Sequence, residues 1–284
     1  MTKSFRLQFV LFIRKLINAV IPEVNNLFQI AFEQRSVDSN CRSVNPLNKF
    51  GKKCFSQNDE DGITVEIAQR LGITGKYLEF GVGDGLECNT LVLHSLGWKG
   101  MWVGDEKLAI GENESKDFVY IRKRVTRENL LSILETGFNH FKSKTFDVIS
   151  VDLDGNDYYI VEALLKSDIE AKLFIVEYNG KFFPPIEFRI KYDPDFIWRG
   201  DDYFGASLQS YVNLFSEYGY TLVCCNGSTG SNAFFVSNMN LENFKDVPSD
   251  IASLYVPPMY FEQRRGHPGS ARTVEKLIFG EFNF

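Results

Sequence analysis

The sequence predicts an α/β fold, with a wound, mostly parallel sheet and helices on both faces. Three observations carry this. Short β-favouring apolar runs alternate with segments of helical period through the middle of the chain. The first run, Lys76 to Phe80, breaks into a glycine loop, Gly81-Val82-Gly83-Asp84-Gly85, ahead of a helical stretch. The next run ends in Asp105, 20 residues beyond Gly85, about where a βαβ unit places an acid for ribose hydroxyls.

Composition sets the outer bounds. At 284 residues the chain can bury a full core, and one α/β domain with additions is expected rather than two domains. A net charge of −6 argues against a nucleic-acid binder working through a general basic surface. The five cysteines are an odd number without a C-x-x-C pair, which points to free thiols, a reducing and so cytoplasmic setting, and no zinc site. Three parts are expected: an amphipathic helical segment and linker over 1–45, the main domain over 46–240, and an extension packed on it over 241–284.

In chain order, Phe5, Phe9, Phe12, Leu16 and Val20 fall at helical spacing behind a basic start. The apolar run is too short to span a membrane. The segment either packs on the domain or a second subunit, or lies as a peripheral helix on the inner face of a membrane. Ser56 to Gly62 reads as a helix start with acids at the positive end of the helix dipole, and Gln57 as a candidate contact. Lys76–Phe80 is the first strand. The glycines let its loop turn and approach a ligand closely, and loop and helix N–H groups, Asn89 included, are expected to face that ligand. Gly100 to Glu106 is the second strand, with Asp105 or Glu106 as the ribose acid. Phe118 to Ile121 starts the third, after which Val125 and Thr126 are expected beside an adenine, with Thr126 a candidate cap.

Phe146 to Asp152 is the fourth strand. It runs into Asp154, Gly155, Asn156 and Asp157, a polar cluster at the end of a parallel strand, where α/β ligands bind. The spacing does not fit a calcium loop, which needs glycine at position 6 and glutamate at position 12. Lys172 to Asn179 is the fifth strand, with Glu177 and Asn179 expected in the same crevice. Residues 180–206 form an aromatic, Pro- and Gly-rich insertion, the candidate wall for an acceptor. Ser207 to Tyr218 is a helix. Thr221 to Cys225 and Asn232 to Val236 then read as a closing, hairpin-like pair.

Two resemblances follow from these residues. The Glu79-x-Gly81-x-Gly83-x-Gly85 form is similar to motif I of the S-adenosylmethionine-dependent methyltransferases, and the order of elements resembles their Rossmann-like, seven-stranded sheet, mostly parallel with an antiparallel closing strand. The run from Ile149 to Leu164, the ending Glu177-Tyr178-Asn179 and the last strands look like the FkbM-type methyltransferases over about residues 54–237. Asn156-Asp157 departs from that family, which more often has an apolar or aromatic residue followed by Glu, so the chain looks like a divergent branch.

The resemblance implies S-adenosyl-L-methionine held by Glu79, Gly81, Gly83, Gly85, Asn89, Asp105, Glu106, Thr126 and Asp152. It implies O-methylation of a hydroxyl on a sugar, glycolipid or related small-molecule acceptor, with no nucleic-acid partner. An acceptor hydroxyl needs a base or a metal to become nucleophilic. Asp154 is the expected base or acceptor contact; alternatively Asp152, Asp154 and Glu177 share a magnesium or manganese ion. His94, His140 and His267 are rival bases. The alternatives are a non-catalytic ligand-binding or scaffold protein of a glycan-assembly complex, and a nicotinamide-dependent oxidoreductase, against which the missing G-x-G-x-x-G spacing counts.

Overall fold

The computed structural model describes residues 30–109, 115–167 and 169–259. The apolar stripe from Phe5 to Val20 and His267 lie outside these residues. A helix over 30–42 (α1) and a 3-10 turn, Pro46–Phe50, precede α2 (Glu60–Leu71). Then come β1 (Lys76–Phe80), α3 (Leu91–Ser95), β2 (Lys99–Gly104), β3 (Phe118–Arg122), α4 (Leu130–Phe141), β4 (Val148–Val151), α5 (Asp157–Lys166) and β5 (Leu173–Glu177). After the insertion follow α6 (Leu208–Glu217), β6 (Tyr220–Cys225), β7 (Asn232–Ser237), a 3-10 turn (Asn238–Phe244) and α7 (Ile251–Leu254).

The seven strands form one sheet in the order β3-β2-β1-β4-β5-β7-β6. Strands β1 to β5 pair in parallel, and β7 runs antiparallel to both β5 and β6. This is the expected Rossmann-like sheet with an antiparallel closing strand. Its strand order reverses between β1 and β4, which opens a crevice at their C-terminal ends.

Each face of the sheet carries its own apolar layer. Leu78 and Phe80 face α4, α5 and α6 through residues such as Ile133, Ile160 and Phe215. Tyr77 and Trp102 face α2 and α3 through Ile63, Ile67 and Leu93. Phe80, Tyr77 and Trp102 are at most 1% exposed, and burying each large side chain contributes on the order of 2–3 kcal/mol. The alternation along β1 therefore sends Glu79 to the same side as Tyr77, toward the start of α3.

Helix α3 is shorter than the sequence suggests, because Asn89 and Thr90 turn their N–H groups onto Glu79 before the helix begins. Helix α4 starts three residues beyond Arg127, with Asn129 as its cap residue. Asn129 Oδ1 accepts from the Thr126 N–H at 2.9 Å, so Thr126 is held by the cap rather than serving as one.

The run from Ser56 to Gly62 opens α2 as expected, with Asp59 as the cap residue and Glu60 and Asp61 in the first turn. Asp59, Glu60 and Asp61 are also buried, which the sequence did not signal. Asp61 Oδ2 accepts from the N–H groups of Cys54, Phe55 and Ser56 at 2.6, 2.6 and 2.9 Å. Asn226, in the β6–β7 turn, donates through Nδ2 to Asp59 Oδ1 and to Glu60 Oε1, each at 3.1 Å. Asn232 Nδ2 donates to the same Glu60 oxygen at 3.1 Å. Polar side chains thus fasten the start of α2 to the closing pair of strands.

Candidate active site

The crevice at the β1/β4 switch point holds two adjoining clefts, of about 850 and 290 Å³, the scale of a small-molecule site. Gly81, Gly83, Asp152, Asp154 and Trp198 border both. The smaller cleft runs toward the end of β2, where Asp105 and Glu106 line it, and toward Val125 beyond β3. The larger one runs toward the end of β5, reaching Glu177.

Gly81 is dictated by close approach. Its φ is +85°, and a Cβ there would lie 1.5 Å from the Asp152 carbonyl oxygen. The loop after β1 is thus packed onto the end of β4, which brings Asp152 and Asp154 beside it. Gly83 has φ +52° with nothing within 4 Å of a built Cβ, consistent with a place on the open cleft. Gly85 points elsewhere: a Cβ there would meet Leu108 at 3.0 Å and Trp102 at 3.2 Å, and Gly85 borders neither cleft. Its position there is set by packing against Leu108 and Trp102. Thr126 likewise borders neither cleft, whereas Val125 borders the smaller.

Glu79 is a latch as well as a wall. Oε1 accepts from the Asn89 N–H at 2.7 Å, and Oε2 accepts from the Thr90 N–H at 3.0 Å and the Thr90 hydroxyl. Trp102 Nε1 supports that hydroxyl at 3.0 Å. Burial pushes the Glu79 carboxyl up to about 7, against hydrogen bonds that act the other way. The donors expected to face a ligand at the start of α3 are therefore spent on Glu79. Asn89 keeps its place on the larger cleft, with its Nδ2 on Ser150 Oγ at 3.2 Å.

The acid cluster after β4 divides by role. Asp157 is fully buried and accepts from the Leu153 and Gly155 N–H groups at 2.6 and 2.8 Å, holding the turn that precedes α5. Asp154 sits in that turn at φ +52°, a left-handed conformation costing about 1 kcal/mol or more for a non-glycine residue. Asp152 and Glu177 stand well above the ordinary carboxylate range. Burial is the first cause in both, followed by the charges of the neighbouring acids. Glu177 Oε2 is buried without a hydrogen-bond partner.

The carboxyl oxygens of Asp152, Asp157 and Glu177 lie within 4.8 Å of one another. The cluster with cation-holding spacing therefore contains Asp157, not the expected Asp154. Its oxygens are the hard donors that magnesium or manganese takes. Asp157 already accepts a backbone hydrogen bond on each oxygen, so Asp152 and Glu177 are the less committed ligands.

The insertion supplies the roof. Trp198 and Phe204 border the larger cleft, and Phe196 and Trp198 the smaller. Asn179, expected in the crevice, is instead fully buried beneath the insertion. Its Nδ2 donates to the Asp202 and Phe204 carbonyls at 2.9 and 3.1 Å. Gln57 and Asn58 from the start of α2, with Thr229 and Ser231 from the β6–β7 turn, close the remaining wall. The turn residues carried no sequence signal, since only the fold brings them to the site. His94 bonds Tyr77 Oη through Nδ1 at 2.9 Å and borders neither cleft; nor does His140.

Charge completes the description. Six carboxyl side chains border the larger cleft, those of Glu79, Asp84, Glu87, Asp152, Asp154 and Glu177. Among the described residues no lysine, arginine or histidine does. Lys123 and Arg124 border the smaller cleft, opposite Asp105 and Glu106.

No family model and no curated protein matches the chain. Several solved structures are similar to it. A candidate hemolysin from Lactococcus lactis is 9% identical, with 65% of this chain and 89% of that one covered at a TM-score of 0.40. The N-terminal domain of EvdMO1, with SAH bound, is 10% identical over 64% of this chain and 82% of that one, at a TM-score of 0.38. An O-methyltransferase from Bacillus cereus, in complex with SAH, is 15% identical over 72% and 89%, at a TM-score of 0.37. Chemistry is a property of the site rather than of the chain path.

Proposed function

We propose that the chain is an S-adenosyl-L-methionine-dependent methyltransferase acting on a hydroxyl of a small polyol or sugar. One observation carries the choice of cofactor. Among the described residues the larger cleft, which the glycine loop borders, presents carboxyls and no basic side chain, and the Asn89 and Thr90 N–H groups ahead of α3 are occupied by Glu79. A dinucleotide needs the opposite, namely free N–H groups for its pyrophosphate. A sulfonium cofactor, with its positive sulfur and amino group, suits a carboxyl-lined site. Asp105 and Glu106 would accept from the ribose hydroxyls, and Val125 would pack beside the adenine.

The reaction is an in-line displacement: the acceptor oxygen attacks the methyl carbon while the sulfur leaves with the bonding pair. Alignment supplies most of the gain. In this reading Asp154, on the border of both clefts, takes the hydroxyl proton, and its fixed, left-handed backbone aims it. Trp198 and Phe204 exclude water and press on the acceptor. Asp152 and Glu177 have the oxygen chemistry to hold a divalent cation beside the same hydroxyl, where it would serve to polarise the oxygen.

Calorimetric titration with S-adenosylhomocysteine and, separately, NADH tests the cofactor. Micromolar binding of the first, weakened tenfold or more by Asp105→Ala, is the expected result. Binding of NADH alone would overturn the reading.

A further inference from the structure

The root and the tip of the insertion are held in different ways. At the root, Phe182, Phe188, Ile190 and Tyr203 pack together, and the Ile190 N–H donates to the Gly205 carbonyl at 3.1 Å. At the tip, among the described residues, the backbone over 191–197 bonds to other backbone once, within its own turn, from the Phe196 N–H to the Asp193 carbonyl at 2.9 Å. Side chains hold the rest. Asn156 Nδ2 donates to the Asp193 carbonyl at 2.7 Å, and Arg124 Nη2 donates to the Phe196 carbonyl. The Tyr192 hydroxyl donates to Glu128 Oε2 at 2.7 Å and accepts from the Arg127 N–H at 3.1 Å. The Arg127 guanidinium lies over the Tyr192 ring, 5.2 Å from its centre. The chain thus leaves the end of β5, passes the turn after β4 and is tied to the segment after β3, across the switch-point crevice. All of these hydrogen bonds but the one from Asn156 are exposed, so water competes for them and the tip opens at lower cost than the root.

The tip stands at the smaller cleft. Phe196, Ile197 and Trp198 border it together with Val125, Asp105 and Glu106. Phe196 rests on the acid turn so closely that a Cβ on Gly155 would lie 2.5 Å from its ring. Ile197 borders the same cleft and yet is 67% exposed. An aliphatic side chain left in water there gains by closing on the face of a flat ring. The cofactor reading places an adenine at this point, beside Val125.

We propose that residues 192–198 are a strap over the adenosine end of the cofactor, with Phe196 and Ile197 covering the adenine and Tyr192 and Arg124 as the clasp. This rests on the methyltransferase reading. The cofactor enters and leaves when the clasp is undone, so the strap sets how long a bound cofactor stays. The insertion then serves both ligands, its root walling the acceptor chamber and its tip holding the cofactor. The Asn179 bonds fasten the root at Asp202 and Phe204 and are separate from the clasp.

The experiment follows capture and release of radiolabelled S-adenosylhomocysteine by the full chain, with release chased by excess unlabelled compound. Tyr192 borders neither cleft, so Tyr192→Ala undoes the clasp without removing a cofactor contact. Release from it is expected to be about tenfold faster, and capture to quicken as well. Ile197→Ala removes the cover at an exposed position and is expected to speed release by about tenfold. Release at the native rate from either folded variant would overturn the inference. So would faster release from Tyr192→Ala with capture unchanged, which is the mark of a lost contact rather than an opened clasp. A native urea midpoint shows that Tyr192→Ala is folded; if it is not, Ile197→Ala decides alone. Should S-adenosylhomocysteine fail to bind the native chain, the cofactor reading falls and this inference with it, a result distinct from binding with native-rate release in the variants.

Discussion

Glu79 shows how one buried carboxyl fixes a loop. Its two oxygens take three donors from Asn89 and Thr90, so the chain after the glycine loop has one place to go. Glu79→Gln keeps the shape and puts an amide N–H where an acceptor was. One of the donors, the Asn89 N–H or the Thr90 pair, then faces a donor. We expect a loss of about 1–3 kcal/mol in unfolding free energy. Affinity for S-adenosylhomocysteine should fall about tenfold, as read by urea denaturation and calorimetry. Unchanged stability would mean that the latch contributes nothing. The position of Glu79, two residues ahead of Gly81, was plain in the sequence. Its partners were not, because a strand acid beside a glycine loop is equally compatible with a ligand hydrogen bond and an internal one. The same ambiguity hid the split between Asp154 and Asp157. They are three residues apart and chemically alike, and only the backbone turn between them decides which one faces inward to the N–H groups of Leu153 and Gly155.

At the scale of elements, the insertion over 180–206 depends on a staple as well as on its own core. Phe182, Phe188, Ile190 and Tyr203 form a small apolar cluster, and Phe182 stacks on Phe188 with ring centroids 3.9 Å apart. Asn179 fastens this unit to the end of β5 by holding the carbonyls of Asp202 and Phe204. Asn179→Ala leaves both carbonyls without that donor, and the roof should loosen while the glycine loop stays in place. The expected result is faster proteolytic cleavage within 180–206 at unchanged affinity for S-adenosylhomocysteine. Cleavage at the native rate would show that the aromatic cluster alone holds the roof. Strand runs were legible throughout, because alternating or continuous apolar residues have few other uses in a buried sheet. The insertion was legible only as a break in rhythm. Asn179 read as a crevice residue because strand-end polar groups commonly point to a ligand; here the insertion itself claimed it.

For the molecule as a whole, buried acids tie stability to pH. Glu60 and Glu79 are held up to about 7 and Asp157 to about 6, burial being the first cause in each. The folded protein therefore binds protons more tightly at these groups than the unfolded chain does. Their contribution is fully present below the unfolded values near 4, and is lost as pH rises through 6 and 7. Stability should accordingly decline between pH 5 and pH 8 by a few kcal/mol, seen as a falling urea midpoint at constant m-value. A midpoint that rises over that range would contradict the assignment. The sheet order and the crevice at its switch point followed from the succession of strand and helix signals. The wall made by Gln57, Asn58, Thr229 and Ser231 did not, since its halves are distant in the chain and share no pattern.

That wall has a consequence for the order in which the protein becomes competent. Asn226 grips Glu60 from 166 positions along the chain, and Asn232 does so from 172. During synthesis the glycine loop, the ribose acids and the whole acid cluster leave the ribosome well before their last wall exists. Chains released before Asn226 would carry every residue assigned to chemistry and still leave Glu60 Oε1 without its donors from Asn226 and Asn232. Ligand capture then doubles as a report that the final two strands have arrived, and truncations ending near residue 225 are expected to bind no S-adenosylhomocysteine.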